Sequence, residues 1–290
     1  MPIILEISLK ALENAAFHGG TGRSTQGLWL NLWRGINPDI GAFLKTQSDI
    51  RPYAISPLMN ADGDRELSTV KENQTARIFL SIFDGQRFLK KHQPDQEEAV
   101  PAPPSVEALT EFSWLPALLQ EYRTNSLELS GSRFQLTSAS ITHRKSFQEI
   151  YDLSRSLNFK KKPSWQMRFL TPTSFKVYDN VILPLPYPSY LFAGWRRQWN
   201  NWSLRTFQLN GWVDDLMYLV KITRLEDIST SVEVYGKQKE VGFTGCICMQ
   251  AADVFPENYL HELNTLVNFS EFCGTGIHTA RGMGITRLKM

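Results

Sequence analysis

The sequence predicts an α+β protein of two similar halves. Strand and helix patterns follow one another in the order βαββαβ, and this order occurs twice along 290 residues. A chain of this length is long enough to bury two separate cores. We therefore predict two tandem ferredoxin-like (RRM-like) domains, residues 1–144 and residues 145–290, the second of which carries a glycine-rich loop near its end.

The first half alternates between the apolar pattern of strands and that of helices. Apolar residues recur every second position in the strands, as in Ala-Arg-Ile-Phe-Leu-Ser-Ile-Phe83, and Ser130-Gly131 marks a hairpin turn. Ser105 caps the second helix after a Pro-rich acidic loop. The predicted strands are 3–9, 53–58 and 76–83 with a hairpin over 127–142, and the predicted helices are 27–44 and 105–122.

The second half repeats the order after a basic linker. The predicted strands are 165–170, 219–225, 231–235, 242–249 and 285–289, and the predicted helices are 190–207 and 256–267. Trp195, Trp199 and Trp202 are spaced i, i+4, i+7, which indicates the core stripe of a helix rather than a base-stacking surface. Arg196 and Arg197 lie between them and should face outward, where they can reach phosphates.

Composition limits the class of protein. Hydrophobic residues make up 42% and charged residues 21% of the chain, as in ordinary globular proteins. No signal peptide and no apolar run of about 20 residues is visible, so we expect no membrane association. Three cysteines fit a reducing cytoplasm. Zinc binding by Cys246, Cys248 and Cys273 with a histidine is the less favoured alternative to core cysteines.

The net charge of +2 conceals an uneven distribution. Residues 94–121 hold six acids and no Lys or Arg, whereas residues 153–213 hold nine bases and one acid. Such asymmetry favours a polyanionic partner for the second half, although a solvated basic face would have the same composition.

The glycine-rich loop, residues 273–289, contains two Gly-x-Gly pairs among basic residues and no carboxylate. Glycine permits positive φ and close approach of a partner, and consecutive amides can bind an anion. Because the loop precedes a strand, it does not match nucleotide-binding loops, which open a helix. A tight structural turn is the alternative to a phosphate site. The residues that we expect to contact phosphate here are Gly274, Gly276, Gly282, Gly284, His278, Arg281 and Arg287.

Ordered motifs along the chain resemble the CRISPR-associated endoribonucleases that cut precursor CRISPR RNA within its repeats. The similar segments are Gly22-Arg-Ser-Thr-Gln-Gly-Leu-Trp-Leu30, Arg51-Pro-Tyr-Ala-Ile-Ser-Pro-Leu58, Phe169-Leu-Thr-Pro-Thr-Ser-Phe175, Leu183-Pro-Leu-Pro186, Arg197-Gln-Trp-Asn200, Gly242-Phe-Thr-Gly245 and the glycine-rich loop. The match covers nearly the whole chain in the right order.

The resemblance implies a metal-independent, cofactor-free reaction on repeat RNA. In that family the 2′-hydroxyl of the substrate attacks the adjacent phosphate, which leaves a 2′,3′-cyclic phosphate and a 5′-hydroxyl. Such chemistry requires a base, an acid and cations around the phosphorane. The resemblance implies that Arg23 and Lys176 are such cations. We expect Arg168, Arg196, Arg197 and the basic residues of the glycine-rich loop to bind RNA.

The sequence departs from the family on the first helix. Where the family commonly carries Leu-His, this chain has Leu44-Lys45, and Gln26 stands where another histidine is sometimes found. Lys45 can stabilise charge, but a lysine with the ordinary pKa of about 10 is a poor base at neutral pH. It is equally well explained as a solvated helix residue. His18 and His278 are the candidates for proton transfer.

Three functions remain open at this point. The first is the endoribonuclease, a cytoplasmic monomer or homodimer with repeat RNA as its partner. The second, motivated by the missing helix histidine, is a repeat-RNA-binding subunit of a CRISPR effector complex. The third, which rests only on the glycine-rich loop, is an enzyme for a phosphorylated small molecule.

Overall fold

The structure is a computed structural model that describes residues 1–36, 44–45, 51–83, 119, 126–156, 163–178, 181–208, 216, 218–235, 238–253 and 257–289. It divides into two compact units. Unit 1 comprises Met1–Arg144 with two short segments, Asn201–Leu204 and Ala280–Gly282. Unit 2 comprises Lys145–Asn200, Arg205–Thr279 and Met283–Met290. The mixed α+β fold class is confirmed in both units.

Unit 1 is built on a five-stranded sheet of order β3-β5-β1-β7-β6. Its buried side chains alternate along β1 and β5, which gives one face to the core. Trp29 of α1 and Ala280 belong to that core. The elements are β1 (Ile3–Ala11), β2 (Ala15–Ala16), α1 (Gly22–Ile36), β3 (Tyr53–Ile55), β4 (Thr69–Val70), β5 (Thr75–Ile82), β6 (Ser126–Leu129) and β7 (Ser132–Arg144).

Unit 2 repeats the plan with a four-stranded sheet of order β11-β12-β8-β13. The elements are α2 (Phe147–Arg155), β8 (Ser164–Thr173), β9 (Phe175–Lys176), β10 (Ile182–Leu183), α3 (Pro188–Trp202), β11 (Val220–Tyr235), β12 (Gln238–Ala251), α4 (Glu257–Cys273), a 3-10 turn (Thr279–Arg281) and β13 (Thr286–Lys289). The three stripe tryptophans of α3 are 0–2% exposed, so their assignment to the core is confirmed. No helix in the described ranges is long and apolar enough to span a membrane.

Several predicted boundaries are wrong. Helix α1 begins at Gly22 rather than at residue 27. The hydroxyl of Thr25, a residue with low helix propensity, donates to the carbonyls of Gly22 and Ser56, and this contact holds Thr25 in the first turn of the helix. Helix α3 ends at Trp202, short of Phe207, whose backbone N–H and carbonyl instead pair with the Asn200 side chain.

Two further predictions in unit 2 are also wrong. The two strands predicted at 219–225 and 231–235 form one strand, β11, in which Asp227 takes a φ of 52° beside a shift of register. The stretch expected to be a linker contains helix α2, which a capping box between Ser146 and Glu149 begins. The helix predicted at 105–122 lies outside the described residues except at Leu119.

The hairpin in unit 1 is confirmed. Strands β6 and β7 join through Ser130 and Gly131, both with positive φ, as a tight two-residue hairpin turn requires.

Candidate functional site

The glycine-rich loop is held by close packing of backbone against backbone. Its four glycines have φ values of 68°, 81°, 98° and 70°, in the region that favours glycine. A Cβ on Gly276 would lie 2.2 Å from the Ser174 carbonyl oxygen, and one on Gly284 would lie 1.9 Å from that of Thr275. Glycine is therefore required at these positions by the fold of the loop itself.

Several amides of the loop donate to carbonyls of the protein. The N–H of Ile277 donates to the Ser174 carbonyl at 2.9 Å, and the N–H of Gly284 donates to the Pro172 carbonyl at 3.0 Å. The N–H of Thr275 donates to the Gly284 carbonyl at 2.8 Å. These three amides already have partners within the protein, so they are not available to bind an anion.

The end of this loop lies against the start of helix α1, within unit 1. A Cβ on Gly22 would lie 1.9 Å from the carbonyl oxygen of Arg281, and one on Gly282 would lie 2.7 Å from the Gly22 Cα. Arg23 follows Gly22 in the first turn of α1 and is exposed. The fold thus brings the backbone of Arg281 beside Arg23, two residues that are far apart in the sequence.

A buried carboxylate fixes the chain at the entry to α1. Oε1 of Glu66 accepts hydrogen bonds from the backbone N–H of Thr21 at 3.0 Å and from the Thr21 hydroxyl at 3.3 Å. The same hydroxyl oxygen accepts from the N–H of Leu58 at 2.7 Å. Desolvation raises the pKa of Glu66, and the bonds from Thr21 oppose that rise. The residues immediately before Arg23 are therefore held from two sides.

The other predicted residues of unit 1 are exposed. His18 is exposed four residues before α1, next to Gly19 with a φ of 109°. Lys45 is exposed while its neighbour Leu44 is 2% exposed and belongs to the core. The core contact of Leu44 fixes the main chain at Lys45, whose side chain then points to solvent.

The sequence analysis missed a polar cluster beneath α1. Tyr53 is 1% exposed, and its hydroxyl oxygen accepts from Nε2 of Gln26 and from Nη1 of Arg51, each at 3.0 Å. Arg51 is half-buried in the same unit as Arg23. The Arg-Pro-Tyr segment had been singled out for its resemblance, but its arginine was not considered as a candidate cation.

In unit 2, His278 faces a carboxylate. Its Nε2 lies 3.7 Å from Oε1 of Glu240 on β12, and the two form an ion pair when the imidazole is protonated. His278 has a φ of 57°, which is uncommon for a residue with a side chain. Lys176 is exposed on β9, two residues after Ser174, which anchors the loop through Ile277.

Arg168 on β8 and Arg287 on β13 are direct cross-strand neighbours. Like charges in this arrangement destabilise a sheet unless an anion lies between or near them. The aromatic residues of β8, Trp165 and Phe169, are buried and alternate with Arg168. This face of the sheet therefore offers basic groups rather than stacking aromatics. On α3, Arg197 is exposed and Arg196 is half-buried.

The described residues include no group of three or more His, Cys, Asp or Glu side chains that could hold a metal ion. Burial raises the pKa of the Cys273 thiol, which favours its protonated form. The zinc alternative thus has no support in the described part of the chain.

Comparisons with known proteins agree with this arrangement. Residues 167–286 match the family model of the CRISPR-associated endoribonuclease Cas6. A search of curated proteins gives no significant match.

Solved Cas6 structures match the fold along the whole chain. A Cas6 product complex matches with a TM-score of 0.73 at 19% identity, covering 100% of both chains. Cas6 from Thermus thermophilus matches with a TM-score of 0.67 at 18% identity, covering 100% of this chain and 98% of that one. The product of a Cas6-related gene from Pyrococcus furiosus matches with a TM-score of 0.58 at 11% identity, covering 100% and 99%.

The structural likeness confirms the tandem ferredoxin-like fold. The family model includes the Arg168–Arg287 region only in part, since it ends at Thr286, but it spans most of the glycine-rich loop. Residues 167–286 thus resemble the CRISPR-associated endoribonuclease Cas6 in sequence, and the whole chain resembles solved Cas6 structures in fold.

Proposed function

We propose that this chain is an endoribonuclease that cleaves precursor CRISPR RNA within its repeats without a metal ion. The match of residues 167–286 to the family model of the CRISPR-associated endoribonuclease Cas6 supports RNA cleavage in CRISPR RNA processing. The observation that carries the assignment to this chain is the position of Arg281 and Gly282 against Gly22, beside Arg23. A loop with basic side chains and an exposed arginine meet there within one unit.

The reaction transfers a phosphoryl group within the RNA. The 2′-oxygen loses its proton to a base and bonds to phosphorus, the bond to the 5′-oxygen breaks, and that oxygen gains a proton. The products are a 2′,3′-cyclic phosphate and a 5′-hydroxyl. Negative charge accumulates on the phosphorane oxygens, so fixed cations lower the barrier more than any other group.

The cations that we propose for the reaction are Arg23 and Lys45 in unit 1 and Lys176 in unit 2, all exposed. Arg51 is a further candidate, since its hydrogen bond to Tyr53 fixes its direction. His18 and His278 are the candidates for proton transfer. Arg281 and Arg287, with Arg168, Arg196 and Arg197, would bind the phosphates of the strand, because guanidinium groups bind phosphate oxygens in pairs.

The decisive experiment mixes pure protein with repeat RNA in EDTA. We expect cleavage at one position, a 2′,3′-cyclic phosphate on the upstream product, and no cleavage of RNA with a 2′-deoxy group at that position. Cleavage that requires added magnesium, or that leaves a 3′-hydroxyl, would contradict the proposal.

The second candidate is a repeat-RNA-binding subunit of a CRISPR effector complex. It is favoured by Lys45, which occupies the helix position where the family commonly has histidine. Tight binding of the repeat with unchanged RNA on a denaturing gel, at all pH values from 6 to 9, would support this candidate over the nuclease. We also propose that the protein acts in the cytoplasm as a monomer or homodimer, and that residues 1–144 and 145–290 are its two domains.

A further inference from the structure

Two arginines converge on one tyrosine ring in unit 2. The Cζ atom of Arg205 lies 4.0 Å from the centroid of the Tyr151 ring, and that of Arg155 lies 5.9 Å from it. Both arginines are exposed and Tyr151 is half-buried. We call these three residues the Tyr151 cluster.

The backbone at Arg155 is anchored. The preceding residue, Ser154, is fully buried, and its carbonyl accepts a hydrogen bond from His261 on α4 at 2.8 Å. The Ser154 hydroxyl accepts from the amide of Asn264 at 3.2 Å. The last turn of α2 is therefore fixed against α4, and Arg155 extends from a rigid position.

The backbone at Arg205 is anchored independently. Its carbonyl accepts a hydrogen bond from the indole N–H of the buried Trp199 at 2.8 Å. Phe207, two residues later, stacks on Trp199 with a centroid distance of 5.1 Å and also contacts Tyr151 at 6.1 Å. Two rigid backbones thus hold two guanidinium groups on one aromatic ring.

The two acids of α2 make hydrogen bonds within their own helix. Asp152 accepts from Gln148 at 2.8 Å, and Glu149 is part of the capping box. Arg155 makes no ion pair with any residue that the structure describes. A guanidinium that lies against a ring face presents its N–H donors at its edge, where they can bind a phosphate. The sequence around the cluster is also basic, since residues 153–213 contain nine bases and one acid.

We propose that the Tyr151 cluster is a second RNA-binding site, which holds phosphates of the strand at a distance from the cleavage chemistry. The inference rests on the proposed function, since RNA is the polyanion that it assumes. Arg205 lies over the ring, which leaves no room for a base on that face, so the contact is to the backbone and is independent of sequence.

The test compares Arg155→Gln/Arg205→Gln with the wild-type protein on repeat RNA that carries a 2′-deoxy group at the cleavage position. We measure affinity from 50 to 300 mM salt, and the rate of single-turnover cleavage of normal RNA at saturating protein. We expect weaker binding and a smaller salt slope, by about 0.7 for each phosphate of a single strand that the variant no longer neutralises. The cleavage rate at saturation should not change.

Arg65→Gln/Arg133→Gln is the matched control, because it removes the same charge from two exposed arginines of unit 1. Arg155→Lys/Arg205→Lys retains the charge and should retain most of the salt slope. A double Gln variant that binds like the wild type, or whose affinity falls no further than that of the control, overturns the inference while the proposed function stands. A wild-type protein that binds no repeat RNA overturns both.

Discussion

Gly282 and Gly22 touch through their backbones. A Cβ on Gly282 would lie 2.7 Å from the Gly22 Cα and 3.3 Å from the ring of Pro57, and Gly282 itself has a φ of 98°. Neither glycine can accept a side chain without movement of the other segment. This contact fixes Arg281 beside the first turn of α1, so it governs the geometry of the proposed site.

Gly282→Ala should therefore destabilise the protein and lower its activity. Left-handed backbone and overpacking each cost about 1–3 kcal/mol, so we expect a loss of about 2–4 kcal/mol in the free energy of unfolding. Gly27→Ala in the same helix as Gly22 is the control, because a Cβ there meets nothing within 4 Å. It should stabilise by about 0.5–1 kcal/mol. Urea denaturation measures both, and equal effects would contradict the packing argument.

Arg23→Ala should slow cleavage more than it weakens binding. Loss of a cation that stabilises the phosphorane costs about 10²–10³-fold in rate. Arg34→Ala removes a charge from the last turn of the same helix, where the guanidinium bonds only weakly to Asn31 at 3.5 Å, and should leave the rate unchanged. Single-turnover kinetics on repeat RNA compare the cleavage rates of the two variants. Similar rates for the two variants would remove Arg23 from the proposed site.

Lys45 separates the two proposed functions. If it stabilises charge at the cleavage position, Lys45→Ala lowers the single-turnover rate by at least about tenfold and Lys45→His restores or exceeds the wild-type rate, because histidine transfers protons near neutral pH. Unchanged cleavage in both variants would mean that Lys45 is a solvated helix residue. RNA affinity serves as the control measurement in each case.

His278→Asn tests proton transfer without disturbing the loop. Asparagine tolerates a φ of 57° better than alanine does, so the backbone should remain in place. We expect the rate to fall by about 10²-fold or more if His278 transfers a proton. His143→Asn, at an exposed position on β7, is the control. A slow His18→Ala variant beside an active His278→Asn variant would assign the role to His18 instead.

Glu66 should make stability depend on pH. Because burial raises its pKa above 4.5, the folded state binds its proton more tightly than the unfolded chain. The resulting stabilisation is complete below pH 4.5 and is lost as the pH rises through the folded pKa. Glu66→Gln should therefore gain free energy of unfolding relative to the wild type as the pH rises.

Glu13→Gln should show the opposite dependence of stability on pH. Hydrogen bonds from Arg133, first from its backbone, lower the pKa of Glu13, so any benefit of that carboxylate is lost on acidification. Urea denaturation of both variants from pH 4 to 8 separates the two trends. A pH-independent difference between Glu66→Gln and the wild type would contradict the role of burial.

The periodic elements of the fold were predictable from the sequence because burial sets their pattern. The tryptophan stripe of α3 and the hairpin at Ser130-Gly131 are examples. The start of α1 was not predictable, because the Thr25 hydroxyl, which holds this residue in the first turn, donates to the carbonyl of Ser56, a residue distant in the sequence. Helix α2 could have been found from its capping box, Ser146 and Glu149, which sequence reasoning passed over because of the basic residues around it.

The candidate site was predictable only as a set of residue types. The sequence showed glycines and bases in one loop, but not that Gly282 packs on Gly22 or that His278 faces Glu240. These contacts join residues far apart in the chain, and no local pattern encodes them. Arg51 was missed for a different reason: its partner, the Tyr53 hydroxyl, is only two residues away, but the burial of that tyrosine in the core of unit 1 cannot be read from the sequence.

Ala280 is a core residue of unit 1, although the main segment of that unit ends at Arg144. During synthesis the core of unit 1 therefore stays incomplete until residues 280–282, which follow most of unit 2 in the chain, have been made. Until that segment has been made, the position of Ala280 in the core would be empty and the backbone of Gly22 would be exposed to solvent. The contact of Gly22 with Gly282 can form only after residue 282 has been synthesised, so the proposed site forms after most of both units has been made.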